Sequence, residues 1–214
     1  MVELKFNEDG TIEKIKKADL EKDIKNSKFF TLTKEQRDIL IEDIKNSKLC
    51  KYNQKHLVIA YLSMYGGLRR GEIAQCRREW TSKIKVAIDG VEREYLAVDI
   101  PYRDKNIKSG KGKFIWKAKT KKSQRTAIIF DERISTFLEI FYQNNPTGVQ
   151  CSQDYIYKVV CNKDVKYSFL NRILRSEDIE ENEKKRLQGI TPHSLRSTYA
   201  YICRELGISL EDIA

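Results

Sequence analysis

Apolar residues recur every three or four positions over much of this chain, a spacing that predicts amphipathic helices. A first helix begins at Thr33, which can form a capping box with Gln36. A second helix runs from about Asn53 to Tyr65 with its apolar side chains on one face. Gly66-Gly67 should end it, because glycine readily adopts the left-handed conformation. A third helix starts around Gly71.

In the middle of the chain the pattern alternates as it does in β-strands. Residues 84–88 and 95–100 alternate on either side of an Asp89-Gly90 turn, which predicts a hairpin. Residues 113–119 and 125–130 predict the two arms of a second hairpin with a basic tip. The sheet is therefore expected to be small and antiparallel.

Helical spacing returns after the sheet. Asp131 caps a helix that ends at Asn144-Asn145-Pro146, and shorter helices follow around 155–160 and 169–174. The charged segment 177–186 fits either a solvated connection or a helix face. Helices, a small sheet and more helices in that order predict an α+β fold that is mainly helical.

The last predicted helices carry clear start signals. Thr191 and Pro192 begin one that ends at Gly207, and a further capping box opens at Ser209. Because one helical turn is not stable alone, we expect the natural protein to continue past Ala214. We assign residues 1–30, with a possible small hairpin over 1–17, to an N-terminal appendage or linker remnant, and 31–214 to one domain.

The chain is strongly basic. Lysine and arginine number 41 against 31 acidic residues, a formal net charge of +10, and basic residues cluster at 105–122 and 184–186. Such a surplus is typical of proteins that neutralise phosphates, although a lysine-rich solvated surface has the same composition. We therefore expect nucleic acid to be the partner.

Other partners and compartments are disfavoured by the composition. No apolar run approaches a membrane-spanning length and the N-terminus lacks a signal-peptide block, so we expect a soluble, cytoplasmic or nucleoid-associated protein. The five cysteines are scattered and only two histidines accompany them, which favours reduced thiols over a metal site. We expect no metal and no cofactor.

Three basic segments carry candidate chemistry. In the segment 66–73, Arg69 lies at a glycine-rich junction between helices, and Glu72 can orient it through a bidentate pair. In the segment 116–120, Lys119 precedes a basic hairpin tip. Taken singly, an arginine in a turn and a lysine at a sheet edge are ordinary surface residues.

The third segment, 191–196, places a histidine and an arginine on one helix. At about 100° per residue, His193 and Arg196 share a face. An apolar stripe lies roughly opposite His193 and consists of Leu195, Tyr199, Ile202 and Leu206. The pair is thus presented beside the core, although alone it could be a coincidence.

In this order, the three segments resemble the tyrosine recombinase (phage integrase) family, which includes the topoisomerase IB relatives. They are most similar to archaeal and archaeal-virus integrases, in which Lys-Thr and Thr-Pro-His-Ser-Leu-Arg occur in similar form. The resemblance covers about 33–214 and implies that family's catalytic-domain fold. It also implies DNA integration and excision for a mobile element, double-stranded DNA as partner and a tetrameric synapse.

The resemblance also implies residue roles. Arg69 and Arg196 would clamp the scissile phosphate, His193 would assist proton transfer and Lys119 would protonate the departing 5′-oxygen. A tyrosine would form a 3′-phosphotyrosyl intermediate without a cofactor. Further DNA contacts are expected from four residues: Lys117, Lys121, Lys122 and Arg125. Lys117, Lys121 and Lys122 remain alternatives to Lys119 as the proton donor.

The chain departs from the family pattern at the nucleophile. The late His or Trp and the tyrosine of the pattern should lie beyond Ala214, so we expect this fragment not to cut DNA. Tyr199 is expected in the core and Tyr201 on the surface, and neither is assigned as nucleophile. Two alternatives stay open: a non-cleaving DNA-binding protein of the same fold, and an enzyme like the type IB topoisomerases.

Overall fold

The computed structural model describes residues 31–48, 52–88, 90–104, 116–117 and 123–208. The arrangement is α+β and mainly helical, as predicted. The helices are α1 (Lys34–Asn46), α2 (Asn53–Met64), α3 (Arg70–Gln75), α4 (Glu132–Asn144), α5 (Gln153–Cys161), α6 (Phe169–Arg175), α7 (Glu181–Leu187) and α8 (Pro192–Glu205), with a 3-10 turn at Arg78–Trp80. The strands are β1 (Thr81–Ile88), β2 (Val91–Ile100), β3 (Arg103–Asp104), β4 (Trp116–Lys117) and β5 (Arg125–Ile129).

Local capping explains where the helices begin and end. The side chains of Thr33, Asp131 and Thr191 each accept a hydrogen bond from the backbone N–H three residues later, at the predicted starts. Gly67 and Gly207 adopt φ values of 58° and 73° beyond the ends of α2 and α8. These turn signals were predicted from the sequence and are confirmed.

The sheet has one predicted hairpin and one unexpected pairing. Strands β1 and β2 form the hairpin around Gly90, with Ile88 opposite Val91. Strand β5 pairs with the other edge of β2, and β4 pairs with β3. The prediction that 113–119 and 125–130 pair with each other is therefore wrong for the described residues 116–117, and the rest of 113–119 lies outside the described residues. Pairing with β2 places the buried Ile129 directly opposite the buried Leu96, which removes both from water.

Helix α2 is the centre of the core. Every residue from 56 to 64 is buried, so the prediction of a single apolar face was too narrow. Helices α1 and α8 pack against it, and α8 contributes Leu195, Tyr199 and Ile202 to buried positions. Leu206 of the predicted stripe is exposed, because it lies at the C-cap where the helix ends. The sequence did not decide whether the charged segment 177–186 is a connection or a helix. Its residues 181–186 belong to α7, and 177–180 precede that helix.

The cysteines of the described ranges are reduced. Cys76 and Cys203 are buried, and Cys151 and Cys161 are half-buried. Burial raises the pKa of Cys76 and of Cys203 to about 12, which keeps both thiols protonated. The appendage at 1–30, Cys50 and the helix expected from Ser209 lie outside the described residues.

Candidate functional site

Arg69 lies at the N-cap of α3, directly after the Gly66-Gly67 turn. Its backbone N–H donates to Oε2 of Glu72 at 2.7 Å, and its guanidinium Nη1 donates to Oε1 at 2.9 Å. Glu72 therefore contacts Arg69 as expected, but the expected bidentate pair does not form, because the carboxylate binds one side-chain nitrogen and the backbone N–H. The Arg69 side chain remains 46% exposed. It is held in place and open to a ligand.

Arg125 makes the bidentate pair with Glu72. Its Nη1 donates to Oε1 at 2.9 Å and its Nη2 to Oε2 at 2.8 Å. The two side chains are only 7% and 3% exposed. Little of the Arg125 side chain is therefore exposed, and its expected contact with DNA stays a prediction. Because β5 pairs with β2, Arg125 lies inside the domain rather than at an exposed hairpin tip.

The carbonyl of Gly67 joins this cluster to α8. It accepts hydrogen bonds from Nη2 of Arg125 at 3.4 Å and from Nη1 of Arg196. A Cβ added to Gly67 would lie 2.3 Å from Cδ1 of Tyr199, so no larger residue fits. The Tyr199 hydroxyl in turn donates to the carbonyl of Ile128 at 3.0 Å. The glycine turn, β5 and α8 are thereby fixed relative to one another.

These contacts shape one cleft of about 320 Å³. Its lining residues are Arg69, Arg70, Tyr157, Thr191, Pro192, His193 and Arg196. We call it the arginine cleft. It unites three of the four residues predicted to be catalytic, from chain segments more than 120 residues apart: Arg69, His193 and Arg196. Thr191 caps α8 at the cleft edge, and His193 is exposed in the first turn of that helix.

The charges at the cleft are not balanced. Three guanidiniums, those of Arg69, Arg125 and Arg196, lie around the single carboxylate of Glu72. Burial by itself would raise the pKa of Glu72, but Arg125 and Arg69 outweigh it and hold that pKa below its ordinary value. Burial, followed by repulsion from Arg125 and Arg69, lowers the pKa of Arg196 to about 10. A pKa of about 10 leaves Arg196 charged at neutral pH, so the cluster favours an anionic ligand.

The side chains of the predicted lysines are not among those that the structure describes. Lys119, Lys121 and Lys122 lie outside the described residues, and so does the side chain of Lys117, whose backbone pairs in β4. Within the part of the chain that the structure covers, no group of three or more metal-binding side chains occurs. No described helix is long and apolar enough to cross a membrane.

Besides Arg70, two features at the cleft were not singled out from the sequence. One is the Gly67 carbonyl, which does not line the cleft but binds Arg125 and Arg196, residues far along the chain. The other is Tyr157, which follows the buried Ile156 on α5 and therefore points about 100° away from the core. The direction of Tyr157 relative to the buried face of its helix could be predicted from the sequence. The residues that surround Tyr157 could not.

Tyr199 and Tyr201 follow Arg196 on α8 and differ in burial. Tyr199 is buried, as predicted, and burial raises its pKa well above the ordinary range. Tyr201 is half-buried rather than fully on the surface. Neither of them lines the arginine cleft.

No protein-family model and no curated protein matches this chain.

Proposed function

We propose that this chain is the catalytic domain of a DNA strand-cleaving and rejoining enzyme of the tyrosine recombinase type. The observation that supports the proposal is the meeting of Arg69, His193 and Arg196 in one cleft. Duplex DNA is the proposed partner, and a four-copy synapse on DNA and a cytoplasmic location belong to the same proposal. No residue of 1–214 is assigned as the nucleophilic tyrosine.

In this proposal, a DNA phosphodiester lies in the arginine cleft. Arg69 and Arg196 donate hydrogen bonds to its non-bridging oxygens and stabilise the charge that builds up in the transition state. His193 donates a further hydrogen bond from the α8 start, and Lys119 is the proposed donor to the leaving 5′-oxygen. Arg125 and Glu72 are positioning residues that set the direction of Arg69.

The charge surplus provides a reason for the phosphate to bind. Repulsion among the guanidiniums contributes to the low pKa of Arg196. A bound phosphodiester would place a negative charge beside Arg69 and Arg196 and relieve that repulsion. A neutral ligand would not relieve it, so the cleft should select anions.

The proposal can be tested without a protein nucleophile. A DNA strand that ends in a 3′-(p-nitrophenyl phosphate) is annealed beside a strand with a free 5′-hydroxyl, within a pool of duplexes of random sequence. In the reaction the 5′-oxygen attacks phosphorus, p-nitrophenolate leaves, and the proton of the hydroxyl passes to solvent or to a basic group. This is the chemistry of the proposed rejoining step, with nitrophenolate in place of tyrosine. We expect the chain to accelerate ligation and release of nitrophenolate.

Matched variants separate catalysis from binding. Arg69→Ala and Arg196→Ala should each slow ligation by roughly 100-fold, the usual cost of losing one donor to a transition-state oxyanion. Arg175→Ala is the control, since Arg175 is as exposed as Arg69 but lies on α6 outside the cleft. Binding that depends on Arg69, with no ligation, would instead support a non-cleaving DNA-binding protein. DNA affinity and ligation that are both indifferent to Arg69 would contradict the proposal.

A further inference from the structure

Tyr157 stands out among the exposed large side chains because it lines the arginine cleft. Its side chain is 47% exposed, and the guanidinium of Arg70 lies 5.9 Å from the centre of its ring. An arginine at that distance from an aromatic face makes a cation–π contact. Tyr157 and Arg70 therefore form an aromatic ledge beside Arg69 and Arg196.

The ledge is held rigidly by the packing of its helix. Helix α5 packs against α3, which begins at Arg70, and against α8, which carries His193 and Arg196. The contact with α3 is close: a Cβ added to Gly71 would lie 3.2 Å from Nε2 of Gln153. Elsewhere on its surface α5 buries apolar residues in the core, namely Ile156, Val159 and Val160. This packing fixes α5 so that Tyr157 lies on its cleft side.

The cleft is larger and less polar than a phosphate alone requires. A volume of about 320 Å³ lies within the range of pockets that hold small organic ligands. Besides the arginines, the lining includes the ring of Tyr157 and the ring of Pro192, which can contact a flat apolar group. Each phosphodiester in DNA is flanked by nucleosides, so a base next to the bound phosphate is the group that such a surface fits.

From this arrangement we infer that Tyr157, supported by Arg70, is a stacking surface for an unpaired nucleobase adjacent to the phosphodiester held by Arg69 and Arg196. The inference rests on the proposed function, which supplies the bound phosphodiester. Aromatic side chains stack on any base without reading its hydrogen-bonding edge. A base in a regular duplex already stacks on its neighbours, and extracting it is costly. The ledge should therefore favour DNA with an unpaired nucleotide over fully paired DNA of the same sequence.

The test uses residues 1–214 and two short duplexes, one fully paired and one with a single unpaired 2-aminopurine. At constant salt we expect the chain to bind the second duplex with a Kd lower by roughly fivefold or more. Stacking of one base on an aromatic side chain typically contributes that much affinity. Binding should also quench the 2-aminopurine fluorescence. Tyr157→Ala should abolish both the preference and the quenching, whereas Tyr157→Phe should keep both, because the ring remains.

Tyr52→Ala is the matched control. Tyr52 is 44% exposed, and the ammonium of Lys55 lies 5.8 Å from the centre of its ring. Unlike Tyr157, it does not line the arginine cleft. This variant should behave like the wild type. Circular dichroism and thermal melting check that Tyr157→Ala folds, which its exposure favours.

Each other outcome overturns the inference in a recognisable way. Equal affinity of the wild type for the two duplexes, or unchanged preference in Tyr157→Ala, excludes a stacking role for the ring. Loss of the preference in Tyr157→Phe assigns the effect to the hydroxyl instead. In all these cases Arg69→Ala still decides the proposed function separately: if it weakens binding to both duplexes, only the ledge is refuted, and if it changes neither, the phosphate site fails as well.

Discussion

Arg125 and Arg172 both have almost fully buried side chains, and each meets a carboxylate in a different setting. Arg125 forms its bidentate pair with Glu72 beside the arginine cleft. Arg172 of α6 is fully buried and donates to the carboxylate and the carbonyl of Asp43 on α1, and to the carbonyl of Tyr167 at 2.9 Å. We call the second arrangement the Arg172 cluster.

The surroundings of the two arginines carry opposite charge. The arginine cleft is lined by three arginines and, among the residues described there, by no carboxylate. The groove over the Arg172 cluster has a volume of about 620 Å³ and is lined by four carboxylates and two arginines: Asp38, Glu42, Asp43, Asp178, Arg172 and Arg175. The larger opening is therefore the poorer phosphate site, because its acidic rim repels DNA. Charge rather than size distinguishes the functional candidate from the structural cluster.

The largest expected effect comes from breaking the Arg125 pair. Glu72→Gln should lower the free energy of unfolding by roughly 3–5 kcal/mol, because it leaves the buried Arg125 guanidinium without its counter-charge. Asp43→Asn should cost less, since Asp43 is partly exposed and Arg172 keeps two backbone carbonyls. Chemical denaturation of the two variants measures both losses. Equal losses would show that the two pairs are energetically alike.

The second prediction concerns the loss of folding stability at low pH. His56 is buried next to the Arg172 cluster, with Nε2 at 3.0 Å from the Tyr155 hydroxyl and its ring stacked on Tyr167. Burial and then the charge of Arg172 lower the pKa of His56 to about 4 from an ordinary value of 6.5.

Because the folded state prefers neutral His56, the stability that depends on this group is fully present above pH 6.5 and is lost as the pH falls towards 4. The loss should be on the order of 3 kcal/mol. The lowered pKa of Glu72 acts in a different window, below its ordinary value of 4.5, where protonation removes its ion pairs. Between pH 7 and pH 4, the unfolding free energy of His56→Phe should depend less on pH than that of the wild type. An unchanged slope in that variant would exclude His56 as the cause.

A third prediction tests whether the backbone shapes the arginine cleft. Gly67→Ala should cost roughly 2 kcal/mol or more, because it adds left-handed strain and a contact 2.3 Å from the Tyr199 ring. Gly90→Ala is the control: its φ is also positive, but no atom lies within 4 Å of the added Cβ, so only strain of about 1–2 kcal/mol applies. Thermal melting compares the two. A smaller shift for Gly67→Ala would contradict the close approach.

The smallest effect on stability is expected for Arg69→Ala, which should nevertheless weaken DNA binding. Arg69 and Arg175 are 46% and 45% exposed, and each has one acidic neighbour. Both alanine variants should change the unfolding free energy by less than about 1 kcal/mol, because each arginine is itself exposed and its carboxylate keeps a second arginine as partner. Only Arg69→Ala should weaken DNA binding, by about tenfold, and reduce the salt slope by about one. Fluorescence anisotropy over a salt series measures this. A loss in Arg175→Ala as well would show that binding follows net charge alone.

Much of the secondary structure could be predicted from the sequence because its signals are local. Capping residues such as Thr33, Asp131 and Thr191 satisfy backbone groups within three positions, and Gly90 turns a hairpin between adjacent strands. The same holds for the shared face of His193 and Arg196, which follows from helical geometry.

The pairing of β5 and the full burial of α2 could not be predicted in this way. Both depend on which distant surfaces meet, and several pairings satisfy the same local pattern. For the same reason Arg125 resembled an exposed basic residue in the sequence and proved to be an internal partner of Glu72.

The sequence by itself determined which residues are chemically able to bind a phosphate, where most helices begin, and that positive charge exceeds negative. Only the tertiary structure decided that Arg69 and Arg196 share a cleft, that the Gly67 carbonyl links Arg196 to Arg125, and that Tyr157 joins them. The physical reason is range: hydrogen bonds of caps and turns act within a few residues, whereas burial and ion pairing join segments more than 100 residues apart once the core has formed.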